Sequence, residues 1–296
     1  MGHDHGALSA AGRHRWRLVV TFGLIATFFA VELVAGIITG SLALLSDAGH
    51  MAADVVALGS ALVATRLAAR GDRTGRRTYG SYRAEIFASG FIALLMLGMA
   101  IAIAASAVAR IGEPVEVETG PMLVVGTLGL IVNLVAMLLL RAGAKQSLNL
   151  KGAYLEVLAD TLGSVGVIAA ALLVRATGDT WWDTAVAVAI GVFVAVRAVM
   201  LGREVLQVLG QNAPDGLDPA AIETRLRAIP GIEEVHDLHL WTLTSGMDVA
   251  TAHLVVSDDP HDMLDRANAA LREDFGIEHA TLQIEPTSHD CHHPAW

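Results

Sequence analysis

Residues 41–54 read Ser-Leu-Ala-Leu-Leu-Ser-Asp-Ala-Gly-His-Met-Ala-Ala-Asp. They open an apolar run that continues to Thr65, and yet they contain Asp47, His50 and Asp54. An ionisable group deep in a membrane span costs at least a few kcal/mol, so it marks a functional site by default. His50 and Asp54 are separated by i, i+4 spacing and share one face of a helix. Two donors at that spacing form a recurring metal clamp.

Working outward, composition places this helix in a membrane. The chain has 296 residues, 54% hydrophobic and 17% charged, with a mean hydropathy of +0.54. Soluble domains usually carry about a quarter charged residues. The net charge of -10 is uneven, because residues 207–296 hold 16 Asp/Glu and 4 Lys/Arg. The expected organisation is an N-terminal tail (1–15), a transmembrane domain (16–206), a soluble domain (207–287) and a tail with His and Cys (288–296). The acidic balance argues against nucleic acid as a partner, since DNA binding needs a basic patch. The lone cysteine, Cys291, excludes an intrachain disulfide and fits a reducing compartment.

Six stretches approach the ~20 apolar residues that a spanning helix needs. They run Leu18–Gly40, Leu42–Thr65, Ile86–Ala109, Met122–Leu140, Gly152–Val174 and Thr184–Gly202. The sixth is interrupted by Arg197, expected near the helix end, where its stem lets the charge snorkel. The first run is too long for the apolar core of a signal peptide. Arginines and lysines cluster before the first span, after the second and after the fourth, and the loop after the third is acidic. By the positive-inside rule both termini are cytoplasmic.

The fifth span repeats the clamp, with Glu156 and Asp160 also at i, i+4. At about 1.5 Å per residue, both pairs fall near the middle of a ~30 Å core. Antiparallel packing brings His50 level with Asp160 and Asp54 level with Glu156, giving one imidazole and three carboxylates for a four-coordinate ion. Glu32 in the first span and Asp47 in the second are further candidates. For Asp47 a structural role near the outer mouth is favoured.

These stretches, with GAYLEVLADTLGSVG at Gly152–Gly166 and VHDLHLW at Val235–Trp241, resemble the cation diffusion facilitator family of divalent-metal/proton antiporters. The resemblance implies a transport site on His50, Asp54, Glu156 and Asp160, an α-helical membrane protein of six spans, and a cytoplasmic metallochaperone-like αββαβ domain that pairs as a homodimer. It also places His236, His253, His261 and Glu285 where the family binds regulatory metal. Zinc-transporting members usually have histidine where this chain has Glu156. That carboxylate makes the site harder, so Zn²⁺ stays first and Mn²⁺, Co²⁺, Fe²⁺ and Cd²⁺ are the alternatives.

In the soluble domain, Asp218-Pro219 reads as a helix start, with the helix stopped by Pro230-Gly231. Val235–Leu243 and Val249–Val256 read as strands joined across Ser245-Gly246, followed by a helix over Asp262–Phe275 and a strand over Ala280–Glu285. The strand period of two puts His239 on the opposite face from His236. The tracts His3, Asp4, His5 and His289, Asp290, Cys291, His292, His293 suit weak metal capture.

The expected function is export of Zn²⁺ or a related ion across the plasma (inner) membrane in exchange for protons, with His50 and Glu156 carrying the protons. Its partners are divalent ions, protons, the lipid bilayer and a second copy of the chain. A membrane metal sensor is disfavoured by the intramembrane pairs. An intramembrane zinc hydrolase is disfavoured because the H-E-x-x-H pattern is missing, so no enzyme is expected.

Overall fold

The computed structural model describes residues 6–68, 78–80, 82–111, 116–144, 148–244 and 246–286. Side chains are described for these except at 6–19, 53, 57–58, 60–68, 142–144, 148–153 and 155–156. The chain divides into two compact units, Met1–Arg66 with Ala88–Gly202, and Leu67–Phe87 with Arg203–Trp296.

Six long helices form the membrane domain: α1 (Gly6–Thr39), α2 (Leu42–Ala68), α3 (Arg83–Ala109), α4 (Thr119–Ala144), α5 (Leu148–Thr177) and α6 (Trp181–Leu209). The apolar parts of α1, α3, α4, α5 and α6 are each long and apolar enough to cross a membrane. α2 is the sixth, with Asp47, His50 and Asp54 interrupting its apolar run. Two boundaries differ from expectation. α1 begins at Gly6, so most of the segment assigned to the tail continues the helix. α6 runs on to Leu209, which puts Arg197 three turns inside the helix rather than near its end. Its guanidinium lies 5.9 Å from the centre of the Phe193 ring, in the range of a cation–π contact.

Within the first unit, Ile25, Phe28, Leu44, Met51, Ile103, Met122, Leu140 and Val167 are buried in one apolar core. Phe91, Leu94, Ile101, Leu138, Leu172 and Val192 are exposed. Apolar side chains facing outward around a bundle suit lipid as the solvent. α4 packs against both α1 and α5. Small residues permit the close approaches, as TM helices require. A Cβ on Gly126 would lie 3.1 Å from Ile168, and one on Gly129 2.6 Å from Phe28.

The second unit contains the expected order α7 (Pro219–Arg227), β1 (Ile232–Thr244), β2 (Met247–Val256), α8 (Pro260–Phe275) and β3 (His279–Pro286). Asp218 caps α7 by accepting from the Ala220 N–H, and Asp259 caps α8 by accepting from the His261 N–H, each with proline next. α8 ends at Gly276, whose φ of 71° is the left-handed conformation that glycine adopts freely. The sheet order is β1-β2-β3, antiparallel in the first pair and parallel in the second. Ile222 and Leu226 of α7 and Met263, Ala267 and Leu271 of α8 share a core with Val235, Leu240, Ala252 and Leu254 of the sheet.

Candidate metal centres

The first centre joins α2 and α5. His50 Nε2 lies 3.2 Å from Asp160 Oδ1 and 3.8 Å from Asp54 Oδ2. One donor atom from each of the three falls within 4.8 Å of the others. All three side chains are buried. An imidazole nitrogen and two carboxylate oxygens are donors of the kind that zinc accepts. The level pairing of His50 with Asp160 is the one expected from antiparallel helices. The side chain of Glu156 lies outside the described residues; its backbone is one turn before Asp160 on α5.

Glu32 on α1 and Asp47 on α2 are both about 1% exposed. A Cβ on Gly163 would overlap the Asp47 carboxylate, so glycine at that position lets α5 pass close to α2. Asn133 on α4 donates to Ser164 Oγ at 3.2 Å, also in the buried interior.

A third set of polar contacts was missed by sequence reasoning. Asp183 is fully buried in the first turn of α6. It accepts from Ser41 Oγ at 2.6 Å, from the Leu42 N–H at 2.7 Å and from the Ala43 N–H at 3.2 Å. Arg110 completes the set, donating from Nη1 to Asp183 at 3.1 Å and from Nη2 to the Gly40 carbonyl at 2.7 Å. Ser41 Oγ in turn accepts from the Leu44 N–H at 3.1 Å, as an N-cap does. One turn along, Ser46 donates to the Ala187 carbonyl at 3.2 Å. One turn further, His50 meets Phe193 edge to face with ring centres 5.7 Å apart. α2 is thus fastened to α6 from its first turn to the metal ligand. The only sequence signal was Gly40-Ser41 before an apolar helix, which reads as an N-cap but does not name a distant partner.

The second centre lies on the sheet of the soluble domain. His236 on β1 is paired directly with His253 on β2. Glu285 comes from β3 and is 2% exposed. His253 Nδ1 is 2.9 Å from Glu285 Oε1, and His236 Nε2 is 3.5 Å from Glu285 Oε2. Gln283 Nε2 donates to Glu285 Oε1 at 2.7 Å and orients it. Donor atoms of the three lie within 4.8 Å of one another. His261 is exposed at the start of α8 and is not part of that group. The terminal tracts 3–5 and 289–293 lie outside the described residues.

One expectation is overturned here. Between His236 and His239 the β1–β2 register shifts: three steps on β1 match two on β2. This β-bulge resets the alternation of faces. Val235, Leu238 and Leu240 therefore pack into the helix-covered core, and His239 joins His236 on the other face. Strand parity fails because the extra residue, Asp237, takes a φ of 53°.

Comparison with known proteins identifies two matched regions. Residues 18–209 match the model of the cation efflux transmembrane domain, and residues 214–287 match that of the cation efflux protein cytoplasmic domain. The chain is 45% identical over 288 residues to the metal cation efflux system protein CzcD of Cupriavidus metallidurans, covering 96% of this chain and 90% of that one. It is 37% identical over 302 residues to the zinc transporter ZitB of Escherichia coli, covering 99% and 95%. It is 33% identical over 297 residues to a cadmium, cobalt and zinc/H(+)-K(+) antiporter of Bacillus subtilis, covering 98% and 94%. Among solved structures it matches the metal-bound C-terminal domain of the Cupriavidus CzcD transporter, at 38% identity and a TM-score of 0.23, over 23% of this chain and 99% of that one.

Proposed function

The chain belongs to the cation efflux family of membrane transporters, and from that premise we propose that it exports Zn²⁺ from the cytoplasm in exchange for protons. The observation that carries this reading is the buried His50–Asp54–Asp160 group, three metal-type donors from two helices in the interior of the bundle. Glu156 supplies the fourth donor from the turn before Asp160. Both termini face the cytoplasm, and the chain works as a homodimer in the plasma (inner) membrane, paired through its αββαβ domain. His236, His253 and Glu285 hold a regulatory ion there.

Zinc binds deprotonated imidazole and carboxylate, so metal and protons compete for the same donors. A cycle in which protons reload the site from outside and leave inward then exchanges one for the other. His50 and Glu156 carry that exchange. His50 meets Phe193 edge to face, and α5 brings Asp160 to it. The names of relatives that move zinc, cadmium and cobalt support a divalent substrate. One imidazole among three carboxylates favours no single one of them strongly.

The test is uptake of Zn²⁺ into vesicles containing the purified chain, with and without an imposed pH gradient. Uptake that rises with inside-acid vesicles and disappears in Asp160→Ala is the expected result. Uptake indifferent to the gradient would remove the proton exchange, and uptake unaffected by Asp160→Ala would remove the site.

A further inference from the structure

Asp237 holds its backbone in the left-handed region, with φ of 53°. For a residue other than glycine this is an uncommon and strained conformation, and such outliers cluster at functional sites. Asp237 is also the extra residue of the β1 bulge. Its carboxylate stands between two histidines. Oδ1 is 3.0 Å from His239 Nε2, within hydrogen-bond length, and Oδ2 is 3.7 Å from His253 Nε2. The other ring nitrogen of His253, Nδ1, faces Glu285 at 2.9 Å.

We propose that Asp237 is a positioning residue for the sheet-borne metal centre, selecting the His253 tautomer that presents Nδ1 to the ion. The arrangement of the donors explains why. The ion's side of the cluster contains His236 Nε2, His253 Nδ1 and Glu285. A histidine that binds metal through Nδ1 carries its hydrogen on Nε2, and that hydrogen needs an acceptor. Metal-ligating histidines usually donate their second N–H to a carboxylate, carbonyl or water, which fixes the ring and strengthens the ligand. Asp237 Oδ2 lies in that direction, just beyond hydrogen-bond length, so a small rotation of the ring completes the bond. His239 engages the other oxygen and steadies the carboxylate. His236 has a weaker version of the same arrangement, with Nδ1 at 4.0 Å from Glu234 Oε1.

The bulge is what makes this possible. In a regular strand Asp237 would point away from His236 and His253, into the helix-covered core. The extra residue turns its carboxylate toward the histidines and returns Leu238 to the core. The strain at Asp237 then has a use at the metal centre.

The inference rests on the reading of His236, His253 and Glu285 as a metal centre. It is tested on the full chain in detergent, carrying His50→Ala and Asp54→Ala so that the membrane site is silent. Zinc affinity is measured by competition with a chromophoric chelator, and Co²⁺ absorption reports the ligand field. His236→Ala should remove the tight site. Asp237→Asn keeps size and tolerates the left-handed backbone, and Asp237→Gly relieves it altogether. Both should lose about tenfold to a hundredfold in zinc affinity and shift the Co²⁺ spectrum, while the unfolding midpoint without added metal stays level or rises. Parent affinity and spectrum in both Asp237 variants, with the loss in His236→Ala intact, would overturn the role of Asp237 alone. Zinc binding indifferent to His236→Ala would overturn the centre and Asp237 with it.

Discussion

Asp183 belongs to the first turn of α6 and caps the first turn of α2, accepting from Ser41 Oγ and from two backbone N–H groups. A helix start leaves backbone N–H groups unsatisfied and carries a partial positive charge. A carboxylate supplied by another helix answers both, and Arg110 balances its charge. α6 does not need Asp183 for its own start, because Asp179 already accepts from the Trp181 N–H at 2.9 Å.

Removing this carboxylate strands Arg110 and three donors. Asp183→Ala should destabilise the chain by about 3 kcal/mol, the cost of breaking a buried ion pair from one side. Asp183→Asn should lose less, since an amide oxygen still accepts. Thermal unfolding in detergent, followed by the helical circular dichroism signal, gives the order. Equal midpoints in all three proteins would show that the cap contributes nothing.

Asp54 and Asp160 are each expected to be indispensable to transport. Asp54→Ala or Asp160→Ala should abolish zinc-driven proton flux in vesicles while the dimer elutes unchanged. Near-normal flux in either variant would be incompatible with the proposed site.

Glu156→His exchanges a carboxylate for an imidazole at the proposed fourth donor. It should sharpen the preference for zinc over Mn²⁺ and Co²⁺, because imidazole is the softer ligand, and change how the initial rate depends on pH. Ion competition and rates across a pH series compare the two proteins. If neither selectivity nor profile moves, Glu156 does not touch the ion.

Gly163→Ala tests the helix approach behind the site. The added Cβ overlaps the Asp47 carboxylate, which is buried in the packed interior. The expected response is that α5 backs away from α2 and draws Asp160 from His50. Zinc affinity at the membrane site should fall by an order of magnitude or more. Gly98→Ala, where a Cβ meets nothing within 4 Å, should leave it alone.

Much of this arrangement was legible in the sequence because its signals are local. Asp218-Pro219 announces α7 through its own cap, and the His50/Asp54 and Glu156/Asp160 pairs announce shared faces through spacing. The depth count, which needs only the rise per residue, aligned His50 with Asp160. What escaped depends on distant partners. Asp183 looks like an acid at the start of its own helix, and only packing reveals that it serves α2. Asp237 escaped for another reason: a bulge adds one residue without altering the apolar pattern enough to announce it. Counting by twos past it therefore misplaced His239. Arg197 was placed near a helix end because apolarity fades before Leu209, although helical hydrogen bonding continues.

The polarity of α2 bears on how the chain is made. Asp54 sits in the middle of the helix, with His50 and Asp47 one and two turns toward its start, and a central aspartate costs about 2.5–3.5 kcal/mol on the scale of translocon-mediated insertion. Leaving the ribosome alone, α2 would partition poorly into lipid. α1 supplies the remedy: Gly36 seats Leu45, and Glu32 and Asp47 are both buried, so the two helices enter best as a hairpin that shields its polar groups from lipid. The cap from Asp183 lies 141 residues beyond Leu42, on the last of the six helices to be synthesised. α2 must therefore wait with a ragged first turn until α6 arrives, and a chain truncated before α6 should be the form that quality-control proteases recognise.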